Sequence, residues 1–123
     1  MRMTAIASAI VVSAVAMAAQ AADTIKIGVI QPLTGSVAYN GAADVNGSKI
    51  AVKERNAKGG VLGKQVELVI EDGECQPSKT VSAAEKLVQQ DKVPVISGAF
   101  CSSATIAAMG VAQKYKVPLL SGV

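Results

Sequence analysis

Two serines and two cysteines carry the chemistry this sequence can offer. Ser102 and Ser103 sit in the stretch AFCSSAT, residues 99–105, where a turn gives way to a helical pattern. Backbone N–H groups have no partner at the start of a helix, and the helix dipole favours negative charge there. A hydroxyl beside those amides makes a small carboxylate site without a full positive charge. The same two hydroxyls could equally serve as caps for the helix, and the local pattern leaves both roles open. Cys75 and Cys101 are the two cysteines of the chain. An even pair reads as a disulfide in an exported protein and as two separate buried thiols otherwise. No CxxC arrangement is present, which argues against redox catalysis.

The chain contains no histidine. A Ser-His or Cys-His nucleophile pair therefore cannot be assembled from these residues. Two cysteines alone do not fill a structural zinc shell, so no metal site is expected. Nucleotide binding is also disfavoured. The glycines after the first strand pattern are Gly35, Gly41 and Gly47, six apart, which does not fit GxGxxG. The segment from Gly59 to Lys64 is one residue too short for a phosphate loop, lacks Ser or Thr after the lysine, and precedes a strand. No cofactor is expected.

The elements that must position these groups alternate. Residues 25–30, IKIGVI, form an apolar strand, and residues 31–40 read as a polar loop. A helix is expected from Gly41 to about Lys58, with Ala43, Gly47, Ile50, Ala51 and Glu54 at helical spacing and Gly59-Gly60 as its stop. Residues 65–71 give a second strand, and residues 72–76 a loop containing Cys75. Pro77 opens a second helix, which reaches about Gln90 with Val81, Ala84, Leu87 and Val88 on one face. Residues 93–98 give a third strand. A third helix carries Ile106, Met109 and Ala112 on one side, with Lys114 and Lys116 at its C-terminal end, and residues 117–121 begin a fourth strand.

Strands alternating with helices at this spacing imply right-handed βαβ units, hence a parallel sheet in an α/β three-layer sandwich. Such sheets bind ligands at the C-terminal ends of their strands. Residues 31–40, 72–77 and 99–103 occupy that edge. No fourth helix follows the fourth strand before Val123, so the chain reads as a truncated domain.

Composition agrees with this class. Half of the residues are apolar, but only 2% are aromatic, so the core must be aliphatic. The formal charge is +3, and the lysines are spread without a basic stripe, which makes nucleic acid a poor partner. Residues 1–21 carry one basic residue, Arg2, then an Ala-, Ile- and Val-rich run ending in Ala19-Gln20-Ala21. This fits a cleaved signal peptide; a membrane anchor needs a longer and more hydrophobic run. The mature chain, residues 22–123, would begin near Ala22. No cysteine stands at the cleavage point to take a lipid, so a free periplasmic protein in an oxidising compartment is expected.

From about Thr24 onward the chain resembles the branched-chain amino acid type of periplasmic solute-binding proteins of ABC transporters, with the type I periplasmic-binding fold. The matching stretches are IKIGVIQPLTGSVAYNG, AVKERNAKGGVLGKQVELVIEDGECQPSKTVSAAEKLV, VISGAFCSSATIAAM and VPLLS. The resemblance implies two lobes that close on a ligand, of which this chain supplies the first part of lobe one and none of the second. It implies that Cys75 and Cys101 pair and that Ser102 binds the ligand's α-carboxylate, with Ser103 in the same turn. It places a backbone contact to the ligand's ammonium at or near Val123. It sets Asn40, with Tyr39 beside it, where amino acid binders carry an aromatic side chain in the first loop. Implied ligands are aliphatic amino acids first, then related amides, aromatic acids and small carboxylates. The implied partner is an ABC permease, and the implied state is a monomer. A ligand-sensing module of a signalling receptor shares the fold and is the alternative; an enzyme is not expected.

Overall fold

The computed structural model describes residues 23–122. The expected signal peptide and Val123 lie outside them. Seven elements follow one another: β1 Ile25–Gln31, α1 Ala38–Ala57, β2 Val66–Asp72, α2 Pro77–Gln89, β3 Ile96–Gly98, α3 Ser102–Tyr115 and β4 Leu119–Leu120. All pairings are parallel, and the sheet order is β2-β1-β3-β4. The expected parallel α/β architecture is present.

Right-handed crossovers in this order put α1 on one face and α2 with α3 on the other. Accordingly α2 and α3 pack on each other, while α1 packs on β1 and β2. The main core lies under α2 and α3, where Ile30 and Ile96 meet Ala83, Ala84, Leu87, Ala104, Ala108 and Val111. Gly28 belongs to the same face: a Cβ there would sit 3.0 Å from a Leu87 methyl.

Element boundaries differ from expectation in instructive ways. The first helix starts at Ala38, not Gly41, so Tyr39 and Asn40 lie in its first turn rather than in a loop. The β3 ladder shortens to three residues because Pro94, which has no N–H to give, stands just before it. The expected face of α1 is corrected. Ile50 is 60% exposed, and the buried residues are Gly41 and Val45. Gly41 decides this register, since a Cβ at that position would lie 2.0 Å from the Pro32 carbonyl oxygen. The face of α3 is corrected likewise. Ile106 and Met109 point outward, and Ala104, Thr105, Ala108, Val111 and Ala112 point inward. Small residues take the inner side because two helices and a sheet come close together there.

The helix ends follow their sequence signals. α1 stops at Lys58, and Gly59 and Gly60 take positive φ, with the Gly60 N–H donating to the Arg55 carbonyl. The turn from Val61 to Lys64 is a tight bridge that leads into β2, not a phosphate cradle. Asn56 clips the end of α1 to β2. Its Nδ2 donates to the Val66 carbonyl, and its Oδ1 accepts the Val66 N–H, both at 2.8 Å. Lys86 of α2 pairs with Glu71 of β2; hydrogen bonding to that carboxylate and its charge hold the ammonium above its ordinary pKa.

Candidate ligand-binding site

β1 connects outward to β2, whereas β3 connects the opposite way to β4. The strand order therefore reverses between β1 and β3, and a crevice must open there at the C-terminal ends of the strands. The N-termini of α1 and α3 flank that point, one from each adjacent strand. Tyr39 and Asn40 lie in the first turn of α1, and Ser102 and Ser103 are the first two residues of α3. All four are exposed, Tyr39 at 86%.

The N-terminus of α3 carries no side-chain cap. Its cap residue is Cys101, not a serine, and the hydroxyls of Ser102 and Ser103 have no hydrogen-bond partner among the described residues. The simple capping role is thereby removed. The backbone N–H groups of Ser102, Ser103 and Ala104 have no intrahelical acceptor. One turn later, the Thr105 N–H donates to the Cys101 carbonyl at 2.9 Å. The edge thus presents unpaired donors and two hydroxyls, with no cationic side chain among those first helical residues. It can hold a carboxylate by hydrogen bonds and dipole alone.

Cys75 and Cys101 form a disulfide with Cα atoms 5.4 Å apart. The bridge joins the loop after β2 to the turn before α3. Asp72 does similar work on the other side. Its Oδ1 accepts the N–H groups of Leu33 at 2.8 Å and Glu74 at 2.9 Å, and its Oδ2 accepts the Thr34 hydroxyl at 2.6 Å. Burial pushes the Asp72 carboxyl up, but the Thr34 hydroxyl and the backbone donors together outweigh it and hold it below its ordinary value. Sequence reasoning placed Asp72 in a loop and gave it no role. The available signal was a carboxylate at the last position of a strand, directly before a glycine.

A cleft of about 410 Å³ opens beside this edge, lined by Gln31, Asp44, Ser48, Ser97, Phe100 and Ser121 among others. Its floor is the α1-side face of the sheet, where register puts Val29, Ser97 and Leu120 side by side. Gln31 is buried there, and its Oε1 has no hydrogen-bond partner among the described residues. None of Tyr39, Asn40, Ser102 or Ser103 lines this cleft. Tyr39, Asn40, Ser102 and Ser103 stand at the two helix starts that flank the switch point, and the cleft is lined in part by Asp44 and Ser48 of α1. Val123 lies outside the described residues. Among the described residues no acidic or Cys cluster is arranged to hold a metal ion.

Residues 24–123 match the family described as periplasmic binding protein. The chain is 39% identical over 104 residues to the leucine-, isoleucine-, valine-, threonine- and alanine-binding protein of Pseudomonas aeruginosa, covering 85% of this chain and 28% of that protein. Among solved structures it resembles the branched-chain amino acid transporter substrate binding protein LivJ from Streptococcus pneumoniae in complex with isoleucine. There the TM-score is 0.77 at 43% identity, covering 80% of this chain and 28% of that one. A solute binding protein of an ABC transporter from Rhodopseudomonas palustris, in complex with 3,4-dihydroxybenzoic acid, gives 0.75 at 35% identity, with 80% and 27% covered. The chain therefore spans little more than a quarter of these relatives' length. It belongs to the periplasmic binding proteins, solute-binding proteins rather than enzymes, and folds as their type I members do.

Proposed function

We propose that this chain forms the first part of lobe one of an exported receptor that captures a branched-chain amino acid, or a related small amino acid or carboxylate, for an ABC permease. The observation that carries the reading is the uncapped start of α3 at the sheet's switch point, where the Ser102 and Ser103 hydroxyls and backbone amides find no partner among the described residues. Ser102 takes the ligand carboxylate, with Ser103 beside it, and Val123 meets the ammonium through its backbone. Tyr39 and Asn40, across the switch point, contact the rest of the ligand. Two of the solved relatives hold isoleucine and 3,4-dihydroxybenzoic acid, and a carboxyl group is what those ligands share. Residues 1–21 serve as a cleaved export signal. A disulfide on the binding edge suits the oxidising compartment to which that signal would deliver the chain.

The test is Ser102→Ala in the intact protein. Removing a hydrogen bond to a charged group costs about 1.5–3 kcal/mol, which is roughly a 10- to 150-fold loss of affinity. Melting temperature measured on the same variant should stay close to wild type, because the hydroxyl has no partner among the described residues. A normal affinity with a lowered melting temperature would return Ser102 to a purely structural role. Ser103→Ala serves as the comparison within the same turn.

A further inference from the structure

We propose that Asp72 is a positioning residue that couples the loop after β1 to the start of α3, acting through the Cys75–Cys101 bridge. Three loops stand at the binding edge, and two links join them in series. Asp72 accepts from Leu33 and Thr34 in the first loop and from Glu74 in the second. One residue beyond Glu74, Cys75 is bonded to Cys101, which is the cap residue of α3 and precedes Ser102. No step in this path is longer than one residue or one bond.

The bond to Glu74 spans two positions and is a local turn contact, but those to Leu33 and Thr34 span 39 and 38 residues. A carboxylate needed only to shape its own turn would not hold donors from the neighbouring loop. Its position explains the reach. Asp72 is the last residue of β2 and stands in register with Gln31, the last residue of β1. The Gly73 N–H also donates to the Gln31 carbonyl at 3.0 Å, so the two strands leave the sheet together.

The backbone of these loops needs such support. Glu74 and Cys75 both have positive φ, at 51° and 54°, and Phe100 next to Cys101 has 65°. Non-glycine residues hold that conformation only where surrounding contacts over-determine it. Around the second loop those contacts are the Asp72 carboxylate, the Gln76 N–H to the Gly73 carbonyl, the Thr80 hydroxyl to the carbonyls of Gly73 and Gln76, and the bridge itself. The ion pair from Lys79 to Glu74 is exposed and adds little. Loss of the carboxylate would release the first loop and loosen the second, and the bridge would pass that freedom on to α3. The importance for ligand capture rests on the function proposed above; the coupling does not.

Amide hydrogen exchange on the oxidised 123-residue chain tests this without a ligand. Asp72→Ala is compared with wild type in two backgrounds, with the bridge and with both Cys75→Ala and Cys101→Ala. The Leu87 amide reports global opening. With the bridge present, the Leu33 and Glu74 amides should exchange about ten-fold faster or more, as loss of a hydrogen bond to a charged group implies. The Thr105 amide at the start of α3 should also accelerate beyond Leu87. Without the bridge, the effect at Thr105 should vanish. Asp72→Asn should largely restore protection, since its amide can accept both N–H groups and donate to the Thr34 hydroxyl. If Thr105 follows Leu87 in both backgrounds, or if Leu33 and Glu74 are unchanged, the coupling is overturned. Should Asp72→Ala fail to fold, Thr34→Val decides on the same amides with a smaller effect. A coupling that survives while Ser102→Ala leaves affinity intact would sink the ligand reading alone.

Discussion

At the residue scale, Asp72 is the position where charge and geometry meet. The Thr34 hydroxyl and the backbone donors outweigh its partial burial and hold its carboxyl below its ordinary pKa. A carboxyl whose folded pKa is depressed stabilises the fold above its unfolded value, near 4. That stability is lost as pH falls through the lower folded value. Wild type should therefore be more stable than Asp72→Asn at pH 6. The difference should shrink toward zero below about pH 4, as the wild-type carboxyl takes up its proton. Urea titrations of both chains across this range check the sign. A difference that stays constant with pH would show that Asp72 acts through shape and not charge. Ser102 works differently, since its hydroxyl has no partner among the described residues and its effect should appear in affinity.

At the element scale, close backbone approach governs which helix faces turn inward. Gly41 brings the first turn of α1 against the Pro32 carbonyl, leaving no room for a methyl group. Gly41→Ala should destabilise by about 1–3 kcal/mol or more, as overpacking does. It should also displace Tyr39 and Asn40, because they share that turn. Thermal melts read the first effect, and amide shifts around residues 38–41 read the second. A melting curve and amide shifts like those of wild type would show that the turn can move aside at no cost. The same cause explains what the sequence disclosed and what it hid. Apolar runs, Pro77 and the Gly59-Gly60 stop made the order of elements legible, because those signals act over a few residues. The faces of α1 and α3 were not legible. Ile50, Ile106 and Met109 drew the apolar stripe outward, while Gly41 and Val45 of α1 and three alanines, Thr105 and Val111 of α3 held the true contact surface. Ser102 could be singled out because a helix start is a local feature. Asp72 could not, because two of its three partners lie 38 and 39 residues away and meet it only through sheet register.

At the scale of the whole molecule, the binding edge is organised but open. The β4 edge carries Leu120 at 62% exposure, and the face of β3 and β4 on the α1 side floors a cleft, not a closed core. Ligand sites of this size bury about 70–90% of a small molecule's surface. An edge on which Tyr39, Asn40, Ser102 and Ser103 all stand exposed covers far less. Hydrogen bonds made there compete with water, and even those to a carboxylate contribute only about 1.5–3 kcal/mol each. Two or three such bonds leave little surplus over the roughly 4–15 kcal/mol that association costs in lost freedom. The chain of residues 22–123 alone should therefore bind weakly, even with its loops linked as described. Titration calorimetry with leucine, isoleucine and valine checks this, and no saturable heat is expected at micromolar concentrations. A micromolar dissociation constant would mean that these residues already enclose the ligand, contrary to the exposure of Tyr39 and the two serines.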